Sequence, residues 1–319
     1  MEQARPRALI VAGPTCSGKS ALAMALAERL GGTVINADSM QVYRELRTVT
    51  ARPSQADEAR VPHALYGVRR AAEPGSAAWW QGAALAAMAA AHAAGRLPIL
   101  CGGTGLYLAA LTQGLSPIPD PGPARDEARA LLAAIGPAAL HARLAEADPA
   151  TAARLRPSDG QRLARAWEVW RATGKGLAAW QAEPGPIPSW HFRAVILDPP
   201  RAALRQAIAA RFAAMLEAGA VEEVRALLAL DLDPAVPLLR AQGVPELARF
   251  IRGELPLAEA AGQAVLASGR YVKRQATWFR NRSIAAPCLT HTIHASFPPS
   301  AQLSERWNAD LCAFITAAG

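Results

Sequence analysis

The chain of 319 residues predicts an α/β fold: a parallel sheet with helices on both faces, interrupted by an all-helical insertion. Three observations carry this. Short apolar runs of strand length alternate with longer runs of helix formers, the pattern of a parallel sheet covered on both sides. Two Pro/Gly-rich stretches, 114–123 and 183–189, break both periods and read as linkers. The segment between them is helix-forming throughout. The predicted parts are 1–113, the first part of the core; 114–189, the insertion; and 190–319, the core resumed and mostly helical.

The elements follow in order. Ala8 to Val11 is a short apolar strand, Gly13 to Ser20 a Gly-rich turn, and Ala21 to Leu30 a helix stopped by Gly31-Gly32. Thr33-Val34-Ile35 is a second strand, running out into Asn36-Ala37-Asp38-Ser39. A helix from about Ser76 to Ala94 ends at Gly95, and Leu97 to Cys101 is a third buried strand. It is followed by Gly102-Gly103-Thr104-Gly105 and a further helix start. In the insertion, Asp159 opens a helix. After the second linker come a strand at Phe192 to Leu197 and an amphipathic helical region from about Arg201 to Leu230. The tail, 283–319, carries no signal.

Composition narrows the function classes. At 51% hydrophobic residues the chain can bury a core, which excludes a disordered protein. No run approaches the roughly 18 apolar residues of a membrane span; the longest Ala-rich run, Ala83 to Ala91, meets His92. Cys16, Cys101, Cys288 and Cys312 form no CxxC pair, so reduced thiols are expected rather than zinc or disulfides. With no separate signal-peptide region, a cytoplasmic protein is expected. A net charge of +8 permits a polyanionic partner. Only three of the 34 cationic side chains are lysines, which makes Lys19, Lys175 and Lys273 informative.

Gly13-Pro14-Thr15-Cys16-Ser17-Gly18-Lys19-Ser20 matches GxxxxGK[ST], after a strand and at the opening of a helix. The core is therefore expected to be P-loop NTPase-like. The glycines let backbone amides wrap phosphate oxygens, Lys19 adds a point charge, and the Ser20 hydroxyl can reach Mg²⁺. The loop specifies a di- or triphosphate rather than ATP hydrolysis, because the strand at Leu97–Cys101 ends in glycines and threonine where an ATPase carries a metal-holding acid. Asp38 emerges at the carboxyl end of the second strand, where such sheets bind ligands. Its candidate roles are general base, metal ligand, or simple turn residue. Thr104 offers a hydroxyl at another strand end, or caps a helix. In Arg270 to Arg282, Arg270, Arg274 and Trp278 recur at i, i+4 and i+8, with Lys273, Thr277 and Arg280 alongside. Cations interleaved with aromatics suit single-stranded or looped RNA, or form a charged surface over a core-packed Trp.

Taken together, these residues resemble the tRNA dimethylallyltransferase (tRNA isopentenyltransferase) family. The resemblance runs through GPTCSGKS, DSMQVY at Asp38–Tyr43, Pro62-His63, GGTGLY at Gly102–Tyr107, RPSDGQRLARAWEV at Arg156–Val169 and VKRQATWFRNR at Val272–Arg282. It implies transfer of a dimethylallyl group from dimethylallyl diphosphate to N6 of the adenosine just 3′ of the anticodon, with Mg²⁺ as cofactor. It implies no membrane and no obligate protein partner. Asp38 would be the base, Thr104 would position the amine or the diphosphate, and Arg211 would reach the diphosphate held by Gly13 to Ser20. The segments implied to contact tRNA are Asp38-Ser39-Met40-Gln41, Arg125, Gln161-Arg162-Leu163-Ala164-Arg165, and Lys273, Arg274, Gln275, Thr277, Trp278 and Arg280. Arg240 and Gly243 also match a family tRNA contact, but Val244-Pro245 replaces the family's Tyr and basic residue. Arg52 stands where a Lys is common. A P-loop kinase of a small metabolite and an RNA-binding nucleotide switch are the competing readings.

Overall fold

The structure is a computed structural model that describes residues 5–73, 75–183, 185–297 and 305–317. Met1 of the expected core and Pro184 of the second linker lie outside the described residues. The chain forms two compact units, 1–112 with 189–319, and 113–188.

The first unit opens with β1 (Arg7–Ala12), α1 (Lys19–Leu30), β2 (Gly32–Asn36), α2 (Gln55–Arg60), β3 (His63–Ala64), α3 (Ala77–Ala93), β4 (Leu97–Gly102) and α4 (Gly105–Gln113). The second unit holds α5 (Ala124–Ala147), kinked at Gly136, then α6 (Pro149–Ala152), α7 (Gly160–Thr173) and α8 (Leu177–Gln181). The first unit resumes with β5 (His191–Leu197), α9 (Arg201–Glu217), α10 (Ala220–Leu228), α11 (Val244–Ile251), α12 (Leu257–Asn281), β6 (Thr290–Ile293) and α13 (Glu305–Thr316).

The six strands form one parallel sheet in the order β3-β2-β4-β1-β5-β6. Side chains alternate along the strands, so β1, β2, β4 and β5 each feed two cores. Ala8, Ile10 and Ala12, with Ile35, Leu100, Ala194 and Ile196, pack on Trp80, Ala84 and Met88 of α3 and on Leu108 and Leu111 of α4. Leu9 and Val11, with Val34, Ile99, Val195 and Leu197, pack on Leu22 and Leu26 of α1 and on Leu311 and Ile315 of α13. Each fully buried Leu or Ile contributes roughly 1.5–3 kcal/mol. The near-continuous apolar runs in β1 and β5 follow from burial on both sides. The second unit has its own core of Leu140, Leu144, Ala152, Leu163, Ala166, Val169 and Leu177.

Two differences from the sequence expectation have clear causes. The helical region from Arg201 to Leu230 is two helices, broken where Gly219 takes a φ of 88°. The tail supplies an edge strand, β6, which pairs Ile293 with Leu197, and a helix, α13, that covers one face.

The ends of β2 and β4 touch backbone to backbone. Ala37 N–H donates to Cys101 O at 2.8 Å, and Thr104 N–H donates to Ala37 O at 3.2 Å. A Cβ on Gly102 would sit 2.1 Å from Ala37 O. Gly102→Ala is therefore expected to destabilise the protein by about 1–3 kcal/mol or more, because neither strand end can yield without breaking sheet hydrogen bonds. Thermal denaturation checks this; an unchanged midpoint contradicts it.

Candidate active site

In a parallel sheet the carboxyl ends of the strands gather ligands. Here β1 opens into the 13–18 loop, β2 into the turn at Asp38, and β4 into the turn at Gly103–Gly105. The loop ends at Gly18, left-handed with a φ of 89°, and no side chain caps α1 or places an acid in its first turn. The first amides of α1 thus have no side-chain cap, an arrangement suited to an anion. The loop is pinned from behind by Phe297, whose N–H donates to Ser17 O at 3.0 Å. A Cβ on Gly18 would lie 1.7 Å from Phe297 O, so only glycine fits. Cys16 adopts a φ of 66°, a sparsely populated conformation for a residue with a side chain. The Arg211 guanidinium, from α9, reaches the Cys16 thiol at 3.8 Å. That brings a cation of α9 to the loop.

Lys19 is the electrostatic centre of this cluster. Its ammonium donates to Pro14 O at 3.5 Å. Burial lowers its pKa; Cys101 and Asp38 pull it back up, and Arg211 pushes it further down. Asp38 and Arg211 therefore each lie within electrostatic reach of Lys19. Burial pushes the neighbouring Cys101 thiol up to about 11, which leaves it neutral and unreactive.

Asn36 builds the Asp38 turn. It is fully buried; its Oδ1 accepts Asp38 N–H at 2.8 Å, and its Nδ2 donates to Asp38 O and Leu65 O, each at 3.0 Å. Half-buried Asp38 accepts Met40 N–H at 2.9 Å through Oδ1. Thr104 Oγ1 accepts Ser39 N–H at 3.0 Å, so its hydroxyl braces the β2 turn against the β4 turn. Gln41 donates to Thr50 O and Ala51 O, both at 2.9 Å, and so folds the following loop back on itself.

α12 presents two faces. On the outer one, Arg270, Lys273, Arg274, Thr277 and Arg282 are exposed. Lys273, Arg274, Thr277, Trp278, Asn281 and Arg282 line an open groove of about 500 Å³. On the inner one, Gln275 is buried. Its Oε1 accepts Thr15 N–H at 2.9 Å and its Nε2 donates to Gly103 O at 3.0 Å. The Trp278 ring lies against Gly105, where a Cβ would be 2.4 Å from it.

This geometry has known counterparts. The family described as IPP transferase matches residues 41–282. A tRNA dimethylallyltransferase of Granulibacter bethesdensis is 63% identical over 313 residues, covering 98% of each chain. The chain belongs to this family. Among solved structures, a tRNA isopentenylpyrophosphate transferase of Bacillus halodurans is 29% identical with a TM-score of 0.68, over 98% of this chain and 97% of that one. A eukaryotic dimethylallyltransferase acting on tRNA shares the fold, with a TM-score of 0.81 at 23% identity, over 98% of this chain and 80% of that one.

Within this IPP transferase chain, the structure sorts the expected RNA-contacting residues by exposure. Gln161 and Arg162 are exposed on α7, but Leu163 and Ala164 are buried in the second unit's core. Arg165 pairs with Glu168 at 2.5 Å, and Arg125 with Asp120 at 2.9 Å. Arg280 is held by Asp198 at 2.8 Å. Arg240 is exposed and donates to Ala235 O at 2.7 Å, whereas Gly243 is buried against Phe212. Gln275 is buried, and its amide bonds the backbones of Thr15 and Gly103. Sequence reasoning missed Asn36 and Phe297, which act through contacts distant in sequence.

The depressed Lys19 pKa has a measurable consequence. Its charge is lost as pH rises through a value below the roughly 10.4 of an ordinary lysine. Affinity for a diphosphate monoester should fall across that window, with proton uptake on binding. Lys19→Arg, which stays charged, should remove the alkaline fall; calorimetric titrations at several pH values that gave identical profiles for both proteins would contradict the assignment.

Proposed function

We propose that this chain transfers a dimethylallyl group from dimethylallyl diphosphate to N6 of the adenosine 3′-adjacent to the anticodon in tRNA, releasing diphosphate. The observation that carries the reading is a loop shaped for phosphate that Arg211 reaches at Cys16, with Lys19 buried in it and in the field of the Asp38 carboxylate. The names of the curated relatives support the same reaction.

Physical chemistry assigns the roles. An adenine amine is a weak nucleophile because its lone pair is delocalised into the ring. As the C–N bond forms, positive charge develops on N6, and the Asp38 carboxylate takes the proton. The allylic C–O bond breaks, and negative charge grows on the leaving oxygens. Lys19, Arg211 and the amides at the start of α1 face that charge. Thr104 acts through Ser39, holding the turn that aims Asp38.

Mg²⁺ fits as a companion of the diphosphate. Among the described residues no group of three or more His, Cys, Asp or Glu side chains could hold a metal. The exposed Ser20 hydroxyl beside Lys19 would contribute one oxygen, with phosphate and water supplying the others. When bound, the ion would neutralise charge on the leaving group. The cationic groove of α12 would hold the RNA backbone, with Trp278 as a stacking surface. Among the described residues no helix is long and apolar enough to cross a membrane. The proposed setting is the cytoplasm.

The direct test supplies labelled dimethylallyl diphosphate, Mg²⁺ and tRNA, and analyses the nucleosides by mass spectrometry. Label on the adenosine following the anticodon is expected; ATP turnover on a small alcohol, with no label in RNA, would replace this reading with a kinase. Asp38→Asn keeps the bond to Met40 but cannot take a proton, so kcat should drop roughly 10²-fold or more with diphosphate affinity little changed. An unaltered rate removes Asp38 as the base. Arg274→Ala should weaken tRNA binding and flatten its salt dependence; weakened diphosphate binding in its place would misassign the outer face of α12.

A further inference from the structure

We propose that Gln275 is a positioning residue that couples the RNA-binding face of α12 to the anion-binding loop, so that RNA and diphosphate each tighten the binding of the other. The inference rests on the transferase reading above and extends it.

Gln275 is 5% exposed, and both ends of its amide are committed. It ties together two turns that leave neighbouring strands: the 13–18 loop after β1 through Thr15 N–H, and the turn after β4 through Gly103 O. The fit is tight, since a Cβ on Gly103 would lie 2.3 Å from Gln275 Nε2. Tyr271 and Trp278 lie one turn to either side and share its face. Burial raises the Tyr271 hydroxyl pKa, and Asp38 raises it further, which places this ring in the field of the proposed base. Trp278 covers Gly105. The inner face of α12 thus meets the turns of β1 and β4, while Lys273, Arg274 and Thr277 are exposed on the same two turns of helix.

A helix of 25 residues moves as a rod. Hydrogen bonds near 3 Å weaken steeply when partners shift. RNA that holds the outer face therefore holds the Gln275 amide in register with Thr15 and Gly103. A loop held in its anion-binding shape favours, in return, the helix position that RNA selects. Such coupling is reciprocal by thermodynamic necessity. The Thr15 amide is also removed from the set available to the diphosphate, which leaves the amides further along the loop to make those contacts.

The experiment measures the dissociation constant of inorganic pyrophosphate, with Mg²⁺ present, in the absence and presence of a saturating anticodon stem-loop. In the wild-type protein the stem-loop should tighten pyrophosphate binding about five-fold or more. Gln275→Met, which fills similar volume without polar ends, should bring that factor close to one, while stem-loop affinity measured alone stays within about two-fold. A coupling factor of one in the wild type, or full coupling retained in Gln275→Met, overturns the proposal. A loss of stem-loop affinity alone also overturns it, because Gln275 would then contact RNA directly. Should Gln275→Met fail to fold, Gln275→Asn, too short to span both turns, takes its place. The wild-type transfer assay separates the two levels. Binding of both ligands without transfer sinks the transferase reading yet leaves the coupling measured; transfer with coupling that survives the substitution sinks only this inference.

Discussion

The backbone contact between the ends of β2 and β4 sets the geometry on which the site depends. Ala37 is hydrogen-bonded on both sides, to Cys101 O and from Thr104 N–H, and glycine at 102 is what lets the two chains approach. One residue past this contact on β2 is Asp38, and on β4 the turn runs directly into Thr104. The turns that carry Asp38 and Thr104, distant in sequence, are thereby held together, and the Thr104 hydroxyl adds a bond from Ser39 N–H. Asn36 and Ser39 complete the arrangement with short polar bonds. The acid is aimed by buried backbone geometry, which gives little entropy back on binding.

The site joins opposite electrostatic demands. Lys19 is buried where a charged group is disfavoured, and Arg211 adds to the cost; Cys101 and Asp38 offset it. A cradle with excess positive potential is suited to a leaving group that gains charge as its bond breaks. Asp38, which favours the Lys19 charge, is also the acid proposed to take up the proton. The cation–aromatic surface of α12 lies on the same helix as Gln275, so the proposed RNA surface and the residue that bonds the 13–18 loop belong to one element.

Much of the fold was legible because burial on both faces leaves a plain trace. β1, β2, β4 and β5 carry short apolar runs, and the Gly-rich loop stands out as a GxxxxGK[ST] pattern. The edge strands were not legible: β3 is two residues long, and β6, Thr290–Ile293, has polar residues at an exposed edge. The break at Gly219 is a single residue inside a continuous helical pattern. At the site, individual motifs located the loop, Asp38 and Thr104. What they could not do was assign a face within a contiguous segment. In α7, Leu163 and Ala164 stand between exposed and ion-paired arginines but turn into the core, as a 3.6-residue period requires. In α12 the same period turns Gln275 inward between Arg274 and Thr277. Asn36 and the Arg280–Asp198 pair act across distances that pattern reasoning does not see.

The central claim is that a departing diphosphate in the 13–20 loop and an adenine amine meet at Asp38. A crystal structure with a non-reactive diphosphate analogue and an anticodon stem-loop tests it most directly. The account predicts phosphate oxygens at the start of α1, near Lys19 and Arg211, with an Asp38 carboxylate oxygen about 2.6–3.2 Å from N6 of the turned-out adenine. Phosphate bound elsewhere, or the Asp38 carboxylate directed away from that amine, would contradict it.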